Sequence, residues 1–353
     1  MNLRLHYMPK PYLFLADINF EIATSWSEEP ELDMENSSAK IELEHDENIS
    51  AALAVTTVIL LVSVLEAAAN LLILLVLFKT GQYKSKQYLT LTALSFNDFL
   101  LGITAFFYEI WQMASLTTNS MTTISFCCLV TTPLQTLLAN DLFLMAIVAL
   151  ERTIITFHPT FYENISPKSF PVPIILAAVF LSICLILSEA MSSSGNEETT
   201  LYCSKDDCWG ERKRAVGIHS TFISIAVVIL LLNVISFCYM NHKARSYRRR
   251  QLKNMFLLKF SNQIRMLKTV SGITFTVVLS QIVGRSLLVL SLNRADRKDK
   301  FYLFALFLLT SLICSACDFL IYFYNCEEFQ STLKLFVCHD SVVAPFKRVI
   351  WRR

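Results

Sequence analysis

Glu151 and Arg152 stand side by side at the end of a long apolar run, in ALERTIITFHPTFYENISPK over residues 149–168. An ionised pair there is costly in hydrocarbon unless it sits at the water boundary or works inside a helix bundle. The pair is therefore a candidate switch, weighed against the plainer reading of an arginine snorkelling to the headgroups. Asp98, Asp141 and Asp318 each interrupt another apolar stretch, at a cost of roughly 2.5–3.5 kcal/mol for an acid at a helix centre. Such acids can hold a cation such as sodium, share protons, or pack as neutral hydrogen-bonded carboxyls. Hydrolytic chemistry is poorly supplied. His6, His45, His158, His219, His242 and His339 all lie outside the centres of the apolar stretches, no HExxH occurs, and the short motifs of a paired-aspartate protease are missing. The chain is not expected to be an enzyme.

The elements that must position these residues are membrane spans. Apolar residues make up 54% of 353 and charged residues 17%, where a soluble domain carries about a quarter charged. A helix needs about 20 apolar residues to cross a bilayer, and seven stretches qualify: Ala51–Phe78, Gln87–Ser115, Thr123–Phe157, Phe170–Met191, Ala215–Asn241, Asn262–Leu292 and Lys300–Asn325. Only 7 glycines and no alternating ten-residue pattern argue against a β-barrel. The expected fold is an all-α membrane protein, a seven-transmembrane helix bundle followed by a short amphipathic cytosolic helix. It divides into an acidic, flexible, glycosylated extracellular segment (1–50), the bundle (51–325) and a basic cytoplasmic tail (326–353).

Charge placement gives orientation. Nine acids crowd residues 28–47, whereas the loop between the fifth and sixth spans carries Lys243, Arg245, Arg248, Arg249, Arg250, Lys253, Lys259, Arg265 and Lys268. The positive-inside rule puts that loop in the cytosol, the amino terminus outside and the carboxyl terminus inside. The arginine run is a basic juxtamembrane loop facing anionic lipid rather than a nucleic-acid surface. Asn36 and Asn48 head sugar-acceptor triplets on the outer side. Among ten cysteines, Cys127 and Cys128 open the third span and Cys203 and Cys208 lie in the next outer loop. The oxidising exterior allows a bridge between them. Spacing leaves the partner of Cys127 open between Cys203 and Cys208, with a second bridge conceivable.

In this order the residues resemble a rhodopsin-like (class A) G-protein-coupled receptor, of a divergent orphan type. DFLIYFYNCEEFQSTLKLFVC, residues 318–338, is similar to the family's seventh-span Asn/Asp-Pro-x-x-Tyr motif with its following helix and cysteine. Asn70, Asp98 in ALSFNDFLLG, Glu151–Arg152 with His158, Pro159 and Tyr162, and IRMLKTV before the sixth span match in sequence order. The resemblance implies a plasma-membrane receptor that passes binding of an extracellular ligand to a heterotrimeric G protein, with arrestin as a further partner. It implies that Arg152 is tied to Glu151 at rest and faces the G protein when the cytosolic ends open, that Tyr322 swings inward, that Asp318 belongs to the switch, and that Cys338 is palmitoylated. It also implies that Asp98, Asp141 and Asp318 converge with Asn70 and Ser315 at one depth, so that sodium, held by Asp98 and Asp141, or protons must neutralise them. No organic cofactor is expected.

Departures from the pattern have consequences. Thr153 replaces a Tyr and Phe319 a Pro, and the sixth span lacks the family's Trp and Pro, so it would hinge near Gly272 or Gly284 instead. Leu134 stands where amine receptors carry an acid, which argues against a biogenic amine. The seventh span has no lysine for retinal. Leu134, Gln135, Gln281 and Arg285 are the candidate ligand pocket, and a peptide or a non-amine small molecule is the expected ligand. The alternatives are a chemosensory receptor of the same fold, or a transporter with a mid-membrane carboxylate cluster, although no inverted repeat is visible.

Overall fold

The computed structural model describes residues 34–84, 86–164, 172–173, 175–177, 179–180, 182–184, 199–203, 212–249, 254–292, 297–325 and 330–331. Met1–Glu47 and Asn48–Arg353 are separate compact units, and the bundle belongs to the second. Its helices are α1 (Met34–Thr80), α2 (Lys86–Thr117), α3 (Ile124–Phe157), the short α4 (Pro159–Asn164), α5 (Arg212–Arg249), α6 (Asn254–Ser291) and α7 (Arg297–Asn325). Among the described residues, six apolar segments are long enough to cross a membrane: Asn48–Thr80, Tyr88–Thr117, Ile124–Phe157, Ala215–Lys243, Ser271–Leu290 and Lys298–Ile321. They fall on six of the seven stretches that hydropathy marks. The fourth, Phe170–Met191, lies largely outside the described residues, and the parts of it that are described are helical.

The bundle inverts the pattern of a soluble core. Leu61, Leu65, Phe107 and Leu129 project outward with more than half their surface exposed, as suits side chains facing lipid, and the polar residues turn inward. Buried polar groups then need partners inside the bundle, because hydrocarbon offers none. Many threonines and serines meet this need by bonding the carbonyl three or four residues back, as Thr132 does to Cys128 at 2.7 Å and Ser286 to Ile282 at 2.7 Å.

Local signals set the ends of the helices. Thr123 has an extended backbone and its hydroxyl accepts from the Phe126 N–H, capping α3. Gly81, at φ +70°, closes α1 with its N–H on the Phe78 carbonyl. Where α2 meets α3 at one end of the bundle, β1 (Thr122–Thr123) pairs antiparallel with β2 (Thr199–Thr200), Thr122 opposite Thr200 and Thr123 opposite Thr199. In α6, a Cβ on Gly284 would lie 2.1 Å from the Phe307 ring of α7. This glycine therefore seats Phe307 and lets α6 and α7 pack closely, while a Cβ at Gly272 would make ordinary contact with Ile321, 3.8 Å away.

Candidate functional site

At the end of α3 away from the hairpin, Glu151 is fully buried and Arg152 is 5% exposed. An arginine snorkelling to headgroups would be exposed, so that reading fails here. Two hydroxyls hold the Glu151 carboxylate: Thr90 of α2 donates to Oε2 at 2.9 Å, and the phenol of Tyr162, in α4, donates to Oε1. The acid is thus fastened to α2 and α4 by these two hydroxyls. Burial raises the Tyr162 phenol above its ordinary range; the hydrogen bond to Glu151 and the charge of Glu151 push the same way, and Arg152 opposes them. Thr153, in place of the family's Tyr, meets Ser236 of α5 across 3.1 Å. One turn on, Phe157 packs against Tyr239, ring centres 4.6 Å apart. The substitution therefore exchanges a tyrosine for a small hydroxyl contact between α3 and α5.

Midway along the bundle Asp98, Asp141 and Asp318 are all buried and near enough to act on one another electrostatically. Asn70 donates to the Ser315 hydroxyl at 3.2 Å, joining α1 to α7 beside them. The structure thus gathers the residues that the resemblance groups. It adds Glu66, one turn before Asn70 on α1, which is fully buried and acts on the same acids. Its i, i+4 spacing from Asn70 was the available sequence signal. Oδ1 of Asp98, Asp141, Asp318 and Asn70 has no hydrogen-bond donor among the described residues. Oxygen acceptors are the donor type a hard cation takes, but among the described residues no three His, Cys, Asp or Glu are gathered closely enough to hold a metal ion.

Arg285 of α6 is 2% exposed, with its guanidinium 4.0 Å above the Phe222 ring of α5 and 5.8 Å from that of Phe307. Its Nε–H donates to Gln281 Oε1 at 3.0 Å, and its charge is felt at Asp141. Cation–π contact, the hydrogen bond to Gln281 and the nearby Asp141 help keep this charge inside the bundle. Gln135 and Leu134 of α3 are also buried, Leu134 in the apolar cluster with Tyr108, Leu288, Phe304 and Phe307.

At the hairpin end Cys127 is bridged to Cys203, Cα atoms 5.7 Å apart, which resolves the choice between Cys203 and Cys208. Cys128 is also disulfide-bonded. The bridge pins residues 199–203 over the helix ends. Tyr108 of α2 donates to the Cys203 carbonyl at 3.0 Å, Gln112 to the Leu201 carbonyl at 3.1 Å, and Tyr202 packs on Phe301 of α7. The Asn48 carbonyl accepts from Tyr302. Cys208, Cys338 and the side chains of Asn36 and Tyr322 lie outside the described residues.

Membrane-length helices, residues 199–203 tied by a disulfide to α3, and a buried acid and arginine at the far end of that helix together define a polytopic helical membrane protein. The chain matches the family model 7 transmembrane receptor (rhodopsin family) over residues 69–322. It belongs to that family, whose members are receptors. No curated protein matches it.

Proposed function

We propose that the chain is a plasma-membrane G-protein-coupled receptor, with its amino terminus and the hairpin end extracellular and its carboxyl terminus cytoplasmic. Binding of an extracellular ligand among Leu134, Gln135, Gln281 and Arg285 changes the contacts of α3 with α5 and α6. The Glu151–Arg152 end then opens to a heterotrimeric G protein, and later to arrestin. The burial of Arg152 beside a carboxylate fastened by Thr90 and Tyr162 carries this reading. An arginine buried at the helix end beside a carboxylate that two hydroxyls hold is released by modest differential binding, whereas an arginine anchored in headgroups has nothing to release. Tyr322 and Asp318 assist the opening.

The carboxylates Asp98, Asp141 and Asp318, with Asn70 and Ser315, form the charge store of the bundle. Asp98 and Asp141 would hold a sodium ion, or share protons, and signalling would follow sodium and pH. Asn36 and Asn48 carry glycans, Cys338 carries a palmitoyl group, and the basic loop between α5 and α6 lies against anionic lipid. The protein performs no chemistry of its own.

The test is G-protein activation in cells expressing the chain or its Arg152→Ala variant at matched surface density, with peptides and small organic acids as probes. Loss of basal or probe-driven signal in the variant is expected. Equal signal from both refutes the switch.

A further inference from the structure

α2 carries an acid that neither the switch nor the mid-bundle carboxylates use. Glu109 stands about three helical turns from Asp98 toward the hairpin end and is 2% exposed. The hydroxyl of Thr56, on α1, lies against its carboxylate, and no charged side chain among the described residues acts on it. One turn nearer the hairpin, on the same helix face, Gln112 uses its amide N–H on the Leu201 carbonyl, which leaves its Oε1 buried without a donor. Thr56 and Gln112 are fully buried, and the Thr56 hydroxyl, while facing Glu109, keeps acceptor lone pairs of its own. Two facing helices thus present one carboxylate, one amide oxygen and one hydroxyl, with no cation to complete them among the described residues.

The surroundings favour a guest from the hairpin side. Residues 199–203 lie at this end of α2, fastened to it by the Tyr108 and Gln112 hydrogen bonds and to α3 by the Cys127–Cys203 bridge. Leu201 and Tyr202 form an apolar cap there with Ala52, Leu116 and Phe301. Below the cap Phe304 of α7 meets Tyr108 edge-on, ring centres 6.2 Å apart. Apolar side chains therefore lie on the hairpin side of three acceptors. A primary ammonium has three N–H donors, one for each acceptor, whereas a quaternary ammonium has none.

We propose that Glu109, Thr56 and Gln112 bind the primary ammonium group of the receptor's ligand beneath residues 199–203. The proposal rests on the receptor reading above and names the chemistry of its ligand. The argument against an amine concerns only α3, where Leu134 stands; α2 supplies an acid instead. A peptide amino terminus, a lysine and a small alkylamine share this chemistry.

The experiment is thermal unfolding of the purified full chain in lipid nanodiscs, with n-hexylammonium, n-hexanol and tetraethylammonium as probes. A second arm uses a mixture of random tetrapeptides with free or acetylated amino ends. Hexylammonium or the free-ended peptides should raise the midpoint, and which of them does so separates a small amine from a peptide. Hexanol, tetraethylammonium and the acetylated mixture should not. Glu109→Gln, nearly isosteric, should weaken the effect roughly 30-fold or more, the consequence of removing one partner of a buried charge pair, and Glu109→Asp should recover part of it. Stabilisation by hexanol equal to that by hexylammonium, affinity unchanged in Glu109→Gln, or no shift with either amine source overturns the proposal. The midpoint requires no G protein. Absence of a shift alongside Arg152-dependent signalling therefore refutes the ammonium site alone, and a shift without signalling refutes the receptor reading alone.

Discussion

Replacing Tyr162 with phenylalanine removes one hydroxyl and leaves the ring in place, so it isolates the hydrogen bond to Glu151 Oε1. Glu151 is fully buried and its other oxygen keeps the 2.9 Å bond from Thr90. A hydrogen bond to a charged group contributes about 1.5–3 kcal/mol. If the bond exists only while the Arg152 end is closed, its loss shifts the closed–open equilibrium by that amount, roughly 10- to 150-fold at about 1.4 kcal/mol per decade. Nucleotide exchange on a panel of purified G proteins, without ligand, should therefore rise in Tyr162→Phe. Thr90→Val should act in the same direction, and the double variant should depart from additivity because both donors serve one carboxylate. The pH dependence has a definite sign. The folded phenol is raised above its unfolded value, so the stability it contributes is complete below about pH 10 and is lost as pH rises beyond it. The stability gap between wild type and Tyr162→Phe should thus hold through neutral pH and shrink in alkali. Unchanged basal exchange combined with a lowered unfolding midpoint would refute the reasoning, since the bond would then stabilise closed and open conformations alike.

Two further substitutions test the packing that positions the site. Gly284→Ala places a methyl 2.1 Å from the Phe307 ring and should lower stability by about 1–3 kcal/mol, measured as thermal unfolding, with Phe307→Leu in the same chain restoring part of it; full stability in the single variant would mean that α6 and α7 separate freely. Cys203→Ser opens a bridge spanning 76 residues of sequence, worth up to about 4.5 kcal/mol by loop entropy, and should reduce surface expression and thermal midpoint together.

The sequence makes the spans and the main polar residues visible for one physical reason. A charged or amide side chain within 20 apolar residues is conspicuous because hydrocarbon penalises it, so Asn70, Asp98, Asp141 and Arg152 stand out before any coordinates. What a sequence does not display is which face of a span turns inward. Glu66 and Glu109 are acids in apolar helices as surely as Asp98 is, yet their burial beside Asp141 and Thr56 depends on helix rotation, which packing sets. Gly284 shows the same limit from the opposite side. Hydropathy and the missing proline suggest a hinge at a glycine, and only the Phe307 ring lying against it reveals a contact that a side chain would break. Tyr162 is similar: motif order places it near Glu151, but its hydroxyl on Oε1 follows from α4 folding back onto the end of α3. The acids that the bundle turns inward are therefore where function is to be sought, and two of them already lie at distinct depths, Asp98 at mid-bundle and Glu109 toward the hairpin end. Under the proposed function an ion at one depth and a ligand at the other would both act on α2, the helix that carries Asp98, Glu109 and the Thr90 donor to Glu151.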